Sequence, residues 1–85
     1  MTAEMIKKET IEILENICTE NISDLSAELV NDLSMDSLRM VMLLVMIEDR
    51  FDIELDETDM NPFALITVQD VVSLVLKYKE FGEEK

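Results

Sequence analysis

The sequence predicts an all-α protein, a small four-helix bundle made of three longer helices and one short helix. A single glycine and a single proline interrupt its 85 residues, of which 48% are apolar. The apolar positions recur at three- and four-residue steps, which is the spacing of helices that bury one face. A chain of this length has room for one domain, residues 1–85, with a modest core.

The first predicted helix covers about residues 3–19. Cys18 follows Leu14 by one turn, so we expect this lone cysteine to be a small buried residue. A single cysteine excludes an internal disulfide and a cysteine metal cluster. The predicted core face of this helix consists of Ile6, Thr10, Ile13, Leu14 and Ile17.

A long first loop is predicted over residues 20–35, because polar residues interrupt every periodicity there. Three leucines of this stretch, Leu25, Leu29 and Leu33, are expected to attach the loop to the core. A loop of this length inside a small domain would normally count against such an assignment.

The second predicted helix, residues 37–51, is apolar on two sides. The core side consists of Met40, Leu43, Leu44, Ile47 and Phe51. The opposite side collects Leu38, Val41, Met42 and Val45, with Asp49 and the flanking Met46. A short bundle buries one such stripe easily, so we expect the second to be exposed and available to partners. The alternative is that neighbouring loops cover it and that both sides are core.

A short third helix is predicted near residues 60–65. Thr67 and Asp70 then have the spacing of a capping box, with Thr67 as the N-cap and Asp70 as the third helical residue. They begin the fourth predicted helix, residues 68–79, which should fray around Gly82. The core stripe of this last helix consists of Val68, Val71, Val72, Val75 and Leu76.

The formal net charge is −13. Such a charge repels phosphate backbones and anionic lipid headgroups, so nucleic acid and membranes are poor partners and basic protein surfaces are good ones. The longest apolar run, residues 40–47, is too short to span a bilayer, and the N-terminus lacks a signal-peptide pattern. We therefore expect a cytoplasmic monomer without stable membrane insertion.

Groups for independent catalysis are scarce. No histidine is present to activate a serine, and the lone Gly82 cannot form a glycine-rich phosphate loop. The acidic stretch from Asp52 matches a calcium-binding loop at three positions, but Glu57 replaces its glycine and Phe63 its bidentate glutamate. We predict no metal site and no enzymatic activity of its own.

Ser37 is the candidate functional residue. It stands at the predicted start of the second helix, where its hydroxyl faces unpaired N–H groups and the positive end of the helix dipole. A phosphate esterified to Ser37 would lie in a favourable field. The preceding Asp36 is suited to act as the N-cap of the helix.

The surroundings of Ser37 resemble the acyl carrier protein family. The matching positions are residues 32–38, Val41, Leu43, residues 48–55 and residues 67–71. The resemblance implies that Ser37 receives 4′-phosphopantetheine from coenzyme A through a phosphopantetheinyl transferase. The thiol of this arm would carry acyl groups as thioesters for fatty-acid or related biosynthesis. Acyl transferases, ketosynthases and other acyl-processing enzymes would be the partners, and Asp36 would help them recognise the site.

Three positions depart from the family pattern. Ser34 stands where a glycine is usual, and Arg39 and Met42 stand where acidic residues are common. A specialised carrier for polyketide, modified-lipid or aminoacyl intermediates is therefore an alternative to a fatty-acid carrier. An acidic helical interaction protein that never takes a cofactor is an alternative of another class. The expected partner surface comprises Asp36, Leu38, Arg39, Val41, Met42, Val45 and Asp49.

Overall fold

The computed structural model describes residues 2–61 and 64–82. Three α-helices make up most of the fold: α1 (Ala3–Cys18), α2 (Ser37–Phe51) and α3 (Val68–Gly82). Helix α1 packs against both α2 and α3. Within the described ranges the only β-type pairing is an isolated bridge between Glu28 and Thr67. The predicted all-helical class is therefore confirmed.

Helix α1 begins and ends on local hydrogen bonds. The Thr2 hydroxyl accepts from the Met5 N–H at 3.2 Å and caps the start. Thr19 adopts a left-handed conformation with φ of 56°, and its N–H donates to the Glu15 carbonyl at 2.8 Å. This turn ends the helix at Cys18, one residue before the predicted end. The residues that α1 buries are Ile6, Thr10, Ile13, Leu14 and Cys18.

The predicted long first loop is present and attached to the start of α3. Leu29 is fully buried and its N–H donates to the Ile66 carbonyl at 2.8 Å. The Val68 N–H donates to the Ala27 carbonyl at 3.0 Å. These bonds satisfy backbone groups that a buried loop would otherwise leave unpaired, so the loop is a fixed part of the bundle.

The short third helix predicted near residues 60–65 is only partly within the described residues, and Ala64 in that range has a 3-10 conformation. A 3-10 helix of four residues lies earlier, at Glu57–Met60, and Pro62 and Phe63 of the prediction lie outside the described residues. The Tyr78 hydroxyl donates to the Asp59 carboxylate and accepts from the Asp56 N–H. This contact joins the 3-10 helix Glu57–Met60 to α3.

The capping box at the start of α3 is confirmed. The Asp70 N–H donates to the Thr67 hydroxyl at 3.2 Å, and the Asp70 carboxylate accepts from the Thr67 and Ile66 N–H groups, each at 3.0 Å. The helix then continues to Gly82, beyond the predicted end at residue 79. Lys79 Nζ donates to the carbonyl of Phe51 at 3.2 Å, which joins the last turns of α3 to the end of α2.

Ser37 lies at one end of the bundle, and the start of α1 lies at the other. At the end of α2, Arg50 pairs with Glu9 at 3.0 Å and with Glu12 at 3.8 Å, in the second and third turns of α1. The final residue of α2, Phe51, is fourteen residues after Ser37, a distance of about 21 Å along the helix axis. The serine therefore stands at the end of the bundle far from these contacts.

Candidate functional site

Asp36 positions Ser37 as the first residue of α2. The Asp36 backbone is extended, with φ of −107° and ψ of −179°, and its carboxylate accepts from the Arg39 N–H at 2.9 Å. The Asp36 carbonyl accepts from the Met40 N–H at 3.0 Å and opens the helical ladder. Asp36 is thus the N-cap, as the sequence predicts, and the exposed Ser37 stands directly on the first turn.

The residues before Ser37 anchor it to the core. Met35 is 3% exposed, and its N–H donates to the Leu29 carbonyl at 2.9 Å. Ser34 has φ of 57°, a left-handed conformation that glycine adopts at lower cost. The chain can therefore turn sharply between the buried Leu33 and Met35. This anchoring holds Ser37 at the surface in a defined position.

A cleft of about 340 Å³ opens beside Ser37. Its floor includes the buried Met35 and Met40, while the exposed Val30 and Ile66 border it. The other lining residues are Glu28, Asn31, Asp36 and Leu65. A group attached to the Ser37 hydroxyl would have an apolar surface directly beside it.

Cys18 lies behind this floor as a buried residue. Its thiol contacts the sulfur of Met35 at 3.3 Å. Burial raises the pKa of the Cys18 thiol, and the Glu20 carboxylate raises it further, while Arg39 acts in the opposite sense. A raised pKa keeps the thiol protonated and a poor nucleophile. Its burial agrees with the predicted packing role.

The second apolar side of α2 is exposed, as predicted. The exposed fractions are 70% for Leu38, 47% for Val41, 44% for Met42 and 52% for Val45. Arg39 and Asp49 are exposed on the same helix, and the opposite side is core. The structure therefore brings the predicted surface residues together on one helix with Ser37. We call Leu38, Val41, Met42 and Val45 the apolar face of α2.

Two of the contacts that position the loops were not predicted from the sequence. One is the contact of Tyr78 with Asp59 and Asp56, which fixes the 3-10 helix. The other is the pairing of the long loop with the residues before α3. Both contacts join residues that are far apart in the chain, so no local sequence pattern predicts them. The capping box of Thr67 and Asp70 was the one local sequence pattern close to the second of these contacts.

No cation site or bilayer span emerges from the described ranges. Residues 2–61 and 64–82 hold no group of three or more histidine, cysteine, aspartate or glutamate side chains that could bind a metal ion. No helix in the same ranges is long and apolar enough to cross a membrane.

Comparison with known proteins defines the class of this helical domain. Residues 8–75 match the family model described as the phosphopantetheine attachment site. The match spans the long loop, all of α2 and about half of α3. Ser37, exposed at the start of α2, falls within it.

Curated relatives and a solved structure define the family more closely. An acyl carrier protein of Desulforapulum autotrophicum is 36% identical over 72 residues, which are 85% of this chain and 90% of the relative. The meromycolate extension acyl carrier protein of Mycobacterium leprae is 34% identical over 86 aligned positions, 99% of this chain and 73% of the relative.

A solved structure from Mycobacterium tuberculosis that is assigned as an acyl carrier protein superposes with a TM-score of 0.76 at 27% identity. The superposition covers 86% of this chain and 97% of that structure. The chain therefore belongs to the acyl carrier protein family. Acyl carriage is its function, and phosphopantetheine is the prosthetic group of the family.

Proposed function

We propose that Ser37 is the attachment point of 4′-phosphopantetheine and that the chain presents acyl thioesters on this arm to partner enzymes. The observation that carries the proposal is the geometry of one residue. Ser37 is exposed, stands at the first position of α2, and has a hydroxyl bordering an apolar cleft. The N–H groups and dipole of the first turn favour a phosphate at that position.

Attachment is a transfer of one phosphoryl-linked group from coenzyme A. The Ser37 Oγ–P bond forms while a P–O bond of the coenzyme A diphosphate breaks, and adenosine 3′,5′-bisphosphate leaves. A phosphopantetheinyl transferase supplies the base that takes the hydroxyl proton, because no histidine is present in the chain. Once bound, the arm supplies a thiol that holds acyl groups as thioesters.

The chain's own residues hold and present the site. Asp36 caps α2 and leaves Ser37 exposed, while Met35 and Met40 form an apolar floor next to it. We assign the apolar face of α2, with Asp36, Arg39 and Asp49, as the surface that meets the transferase, acyl transferases and ketosynthases. Those enzymes perform the catalysis, and the carrier positions the acyl thioester for them.

Mass spectrometry tests the attachment directly. The apo protein is incubated with coenzyme A, Mg²⁺ and a transferase of proven broad specificity. We expect the mass of one phosphopantetheine to be added, and none in Ser37→Ala. The matched control is Ser73→Ala, which removes another exposed serine hydroxyl, in the middle of α3. An unmodified wild-type protein, or modification of Ser37→Ala, would overturn the proposal.

A specialised carrier is the second candidate function, and two residues favour it. Arg39 replaces an acidic residue that would attract basic partner patches, and Met42 extends the apolar face. The relative from Mycobacterium leprae is itself a carrier for meromycolate extension. We propose that this chain likewise serves a specialised pathway of acyl metabolism.

Malonyl transfer onto the holo protein separates the two candidates. A generic malonyl transferase from fatty-acid synthesis should load the wild-type protein slowly, and the double variant Arg39→Asp, Met42→Glu should be loaded faster. Each rim charge acts mainly on the rate of encounter, so the comparison is made at matched ionic strength. Equal and efficient rates for both proteins would favour the fatty-acid carrier.

A further inference from the structure

The cleft beside Ser37 is lined by charges of one sign. Among the described residues around it, the only charged side chains are the carboxylates of Glu28 and Asp36. The nearest cation on α2 is Arg39, but at 100° per residue it projects about 160° away from Ser37. No lysine or arginine of the described ranges lines the cleft.

Both carboxylates are held in place and can take further hydrogen bonds. Glu28 is half-buried, and its carboxylate accepts from the side-chain amide of Asn31. The backbone of Glu28 pairs with Thr67 in the isolated bridge, which fixes it to the residue that caps α3. The Asp36 carboxylate accepts from the Arg39 N–H at 2.9 Å. An ionised carboxylate can accept about four hydrogen bonds, so each of the two has room for another donor.

The floor of the cleft is apolar and closed. Met35 and Met40 are each 3% exposed, and the Met35 sulfur lies 3.3 Å from the Cys18 thiol behind it. A methylene group is about as large as a water molecule, whose share of liquid volume is about 30 Å³. The cleft of about 340 Å³ therefore holds about eleven such groups. This size suits a short acyl group, whereas a long hydrocarbon chain exceeds it.

The acyl group is the part of a loaded arm that gains most from this floor. The arm itself carries two amide groups, which lose hydrogen bonds to water when they are buried. The methylene groups of an acyl chain lose none, and the hydrophobic effect drives them onto apolar surface. Because the arm is flexible, its acyl end can fold back to the cleft beside Ser37.

We propose that the cleft selects short acyl groups that carry a positively charged amine and disfavours acyl groups that end in a carboxylate. The methylene groups pack on Met35 and Met40, and the ammonium group donates to the carboxylates of Glu28 and Asp36. A terminal carboxylate meets two charges of its own sign instead, which is unfavourable. This inference rests on the proposed attachment at Ser37 and names an amine-bearing class of acyl substrate for it.

Binding of free arm analogues to the apo protein tests this charge preference. Three analogues of acylated pantetheine, with an amide in place of the thioester, carry hexanoyl, 5-aminopentanoyl and glutaryl groups, whose chains are equal in length. The ¹³C-labelled methyl groups of Met35 and Met40 report occupation of the cleft by NMR. We expect the amine analogue to bind roughly fivefold more tightly than the carboxylate analogue, the range of an exposed charge pair. The hexanoyl analogue should lie between them.

Variants of Glu28 assign the preference to the cleft. Glu28→Gln removes one charge and keeps a side-chain oxygen for Asn31, so it should weaken the preference, and Glu28→Lys should reverse it. The matched control is Glu54→Gln, the same chemical change at an exposed position beyond the end of α2. It should keep the wild-type preference. Far-ultraviolet circular dichroism verifies that each variant is folded.

Three results would overturn the inference. They are binding of the carboxylate analogue at least as tight as that of the amine analogue, an equal effect of Glu28→Gln and Glu54→Gln, and methionine methyl signals that no analogue changes. An equal effect of the two variants would assign the preference to the net charge of −13 instead of the cleft. The analogues are free in solution, so the titration gives its answer whether or not Ser37 accepts the arm. Failure of attachment shows separately, in the mass measurement.

Discussion

Within residues 2–61 and 64–82, three residues other than glycine adopt a left-handed backbone conformation, and each ends or redirects an element. Thr19 and Asp52 follow the last residues of α1 and α2, and Ser34 lies three residues before Ser37. Left-handed backbone is unfavourable for residues other than glycine, asparagine and aspartate. The left-handed conformation of Ser34 gives a physical reason for the glycine that is usual at this position. The sequence alone indicated only that Ser34 departs from the family pattern.

Asp36 caps α2 and is proposed to aid recognition by partner enzymes, and two substitutions can separate these roles. Asp36→Ala removes the cap of α2 and should lower the free energy of unfolding by about 1 kcal/mol, measured by urea denaturation. Asp36→Asn keeps a side-chain oxygen for the Arg39 N–H, so stability should remain close to wild type. If the charge also aids recognition, Asp36→Asn should still load phosphopantetheine more slowly. Equal loading of wild type and Asp36→Asn would leave Asp36 with the capping role alone.

Helix α2 was the most predictable element, because its N-cap residue, the spacing of its apolar residues and its composition all predict the same helix. Its predicted bounds coincide with Ser37–Phe51, and its buried and exposed sides are those expected from the sequence. The 3-10 helix Glu57–Met60 was not predicted, because four residues are too few to show a period. Its position depends instead on Tyr78, which lies nineteen residues beyond Asp59.

Tyr78 makes the stability of this connection depend on alkaline pH. Burial and the hydrogen bond to Asp59 raise the pKa of Tyr78 to about 12 from its ordinary value of 10.0. The protonated phenol is therefore favoured in the folded state. Its contribution to stability is complete below pH 10.0 and is lost as the pH rises towards about 12.

Tyr78→Phe should lower the free energy of unfolding near neutral pH by about 1 kcal/mol, because it removes two hydrogen bonds. The decrease in the free energy of unfolding at alkaline pH that is due to Tyr78 should be absent in this variant. Lys77→Ala removes the ion pair with Asp59 at 3.2 Å and the contact of Lys77 Nζ with the Tyr78 ring at 5.6 Å, but keeps both hydrogen bonds of the phenol, so it should keep this alkaline loss. Thermal unfolding between neutral and alkaline pH measures both. An alkaline loss unchanged in Tyr78→Phe would contradict the assignment.

Ion pairs neutralise the negative charges of the molecule unevenly. The ion pairs found in the described ranges are Arg50 with Glu9 and Glu12, and Lys77 with Asp59. They lie towards the end of the bundle opposite Ser37. Around Ser37, Glu28, Asp32 and Asp36 form no such pair in those ranges. These unpaired carboxylates add to the repulsion that opposes compaction.

Salt and divalent cations should stabilise the fold. Raising NaCl from about 10 to 150 mM shortens the screening length from about 30 to 8 Å and should raise the melting temperature. Millimolar Mg²⁺ or Ca²⁺ should raise it further, because ions held preferentially by the folded state stabilise it. The control is the same chain near its isoelectric pH of 4.1, where the salt effect should be small. A melting temperature indifferent to both salt and ions at neutral pH would contradict this account.

Glu9 in the second turn of α1 and Lys79 in the last turn of α3 both contact the end of α2, far from Ser37. A linker joined outside either helix would leave the bundle on the side away from the serine. The chain can therefore be fused to a larger protein or fixed to a solid support without obstructing the exposed hydroxyl. The same geometry suits a carrier module in an assembly line, where one end is tethered and the other swings between active sites.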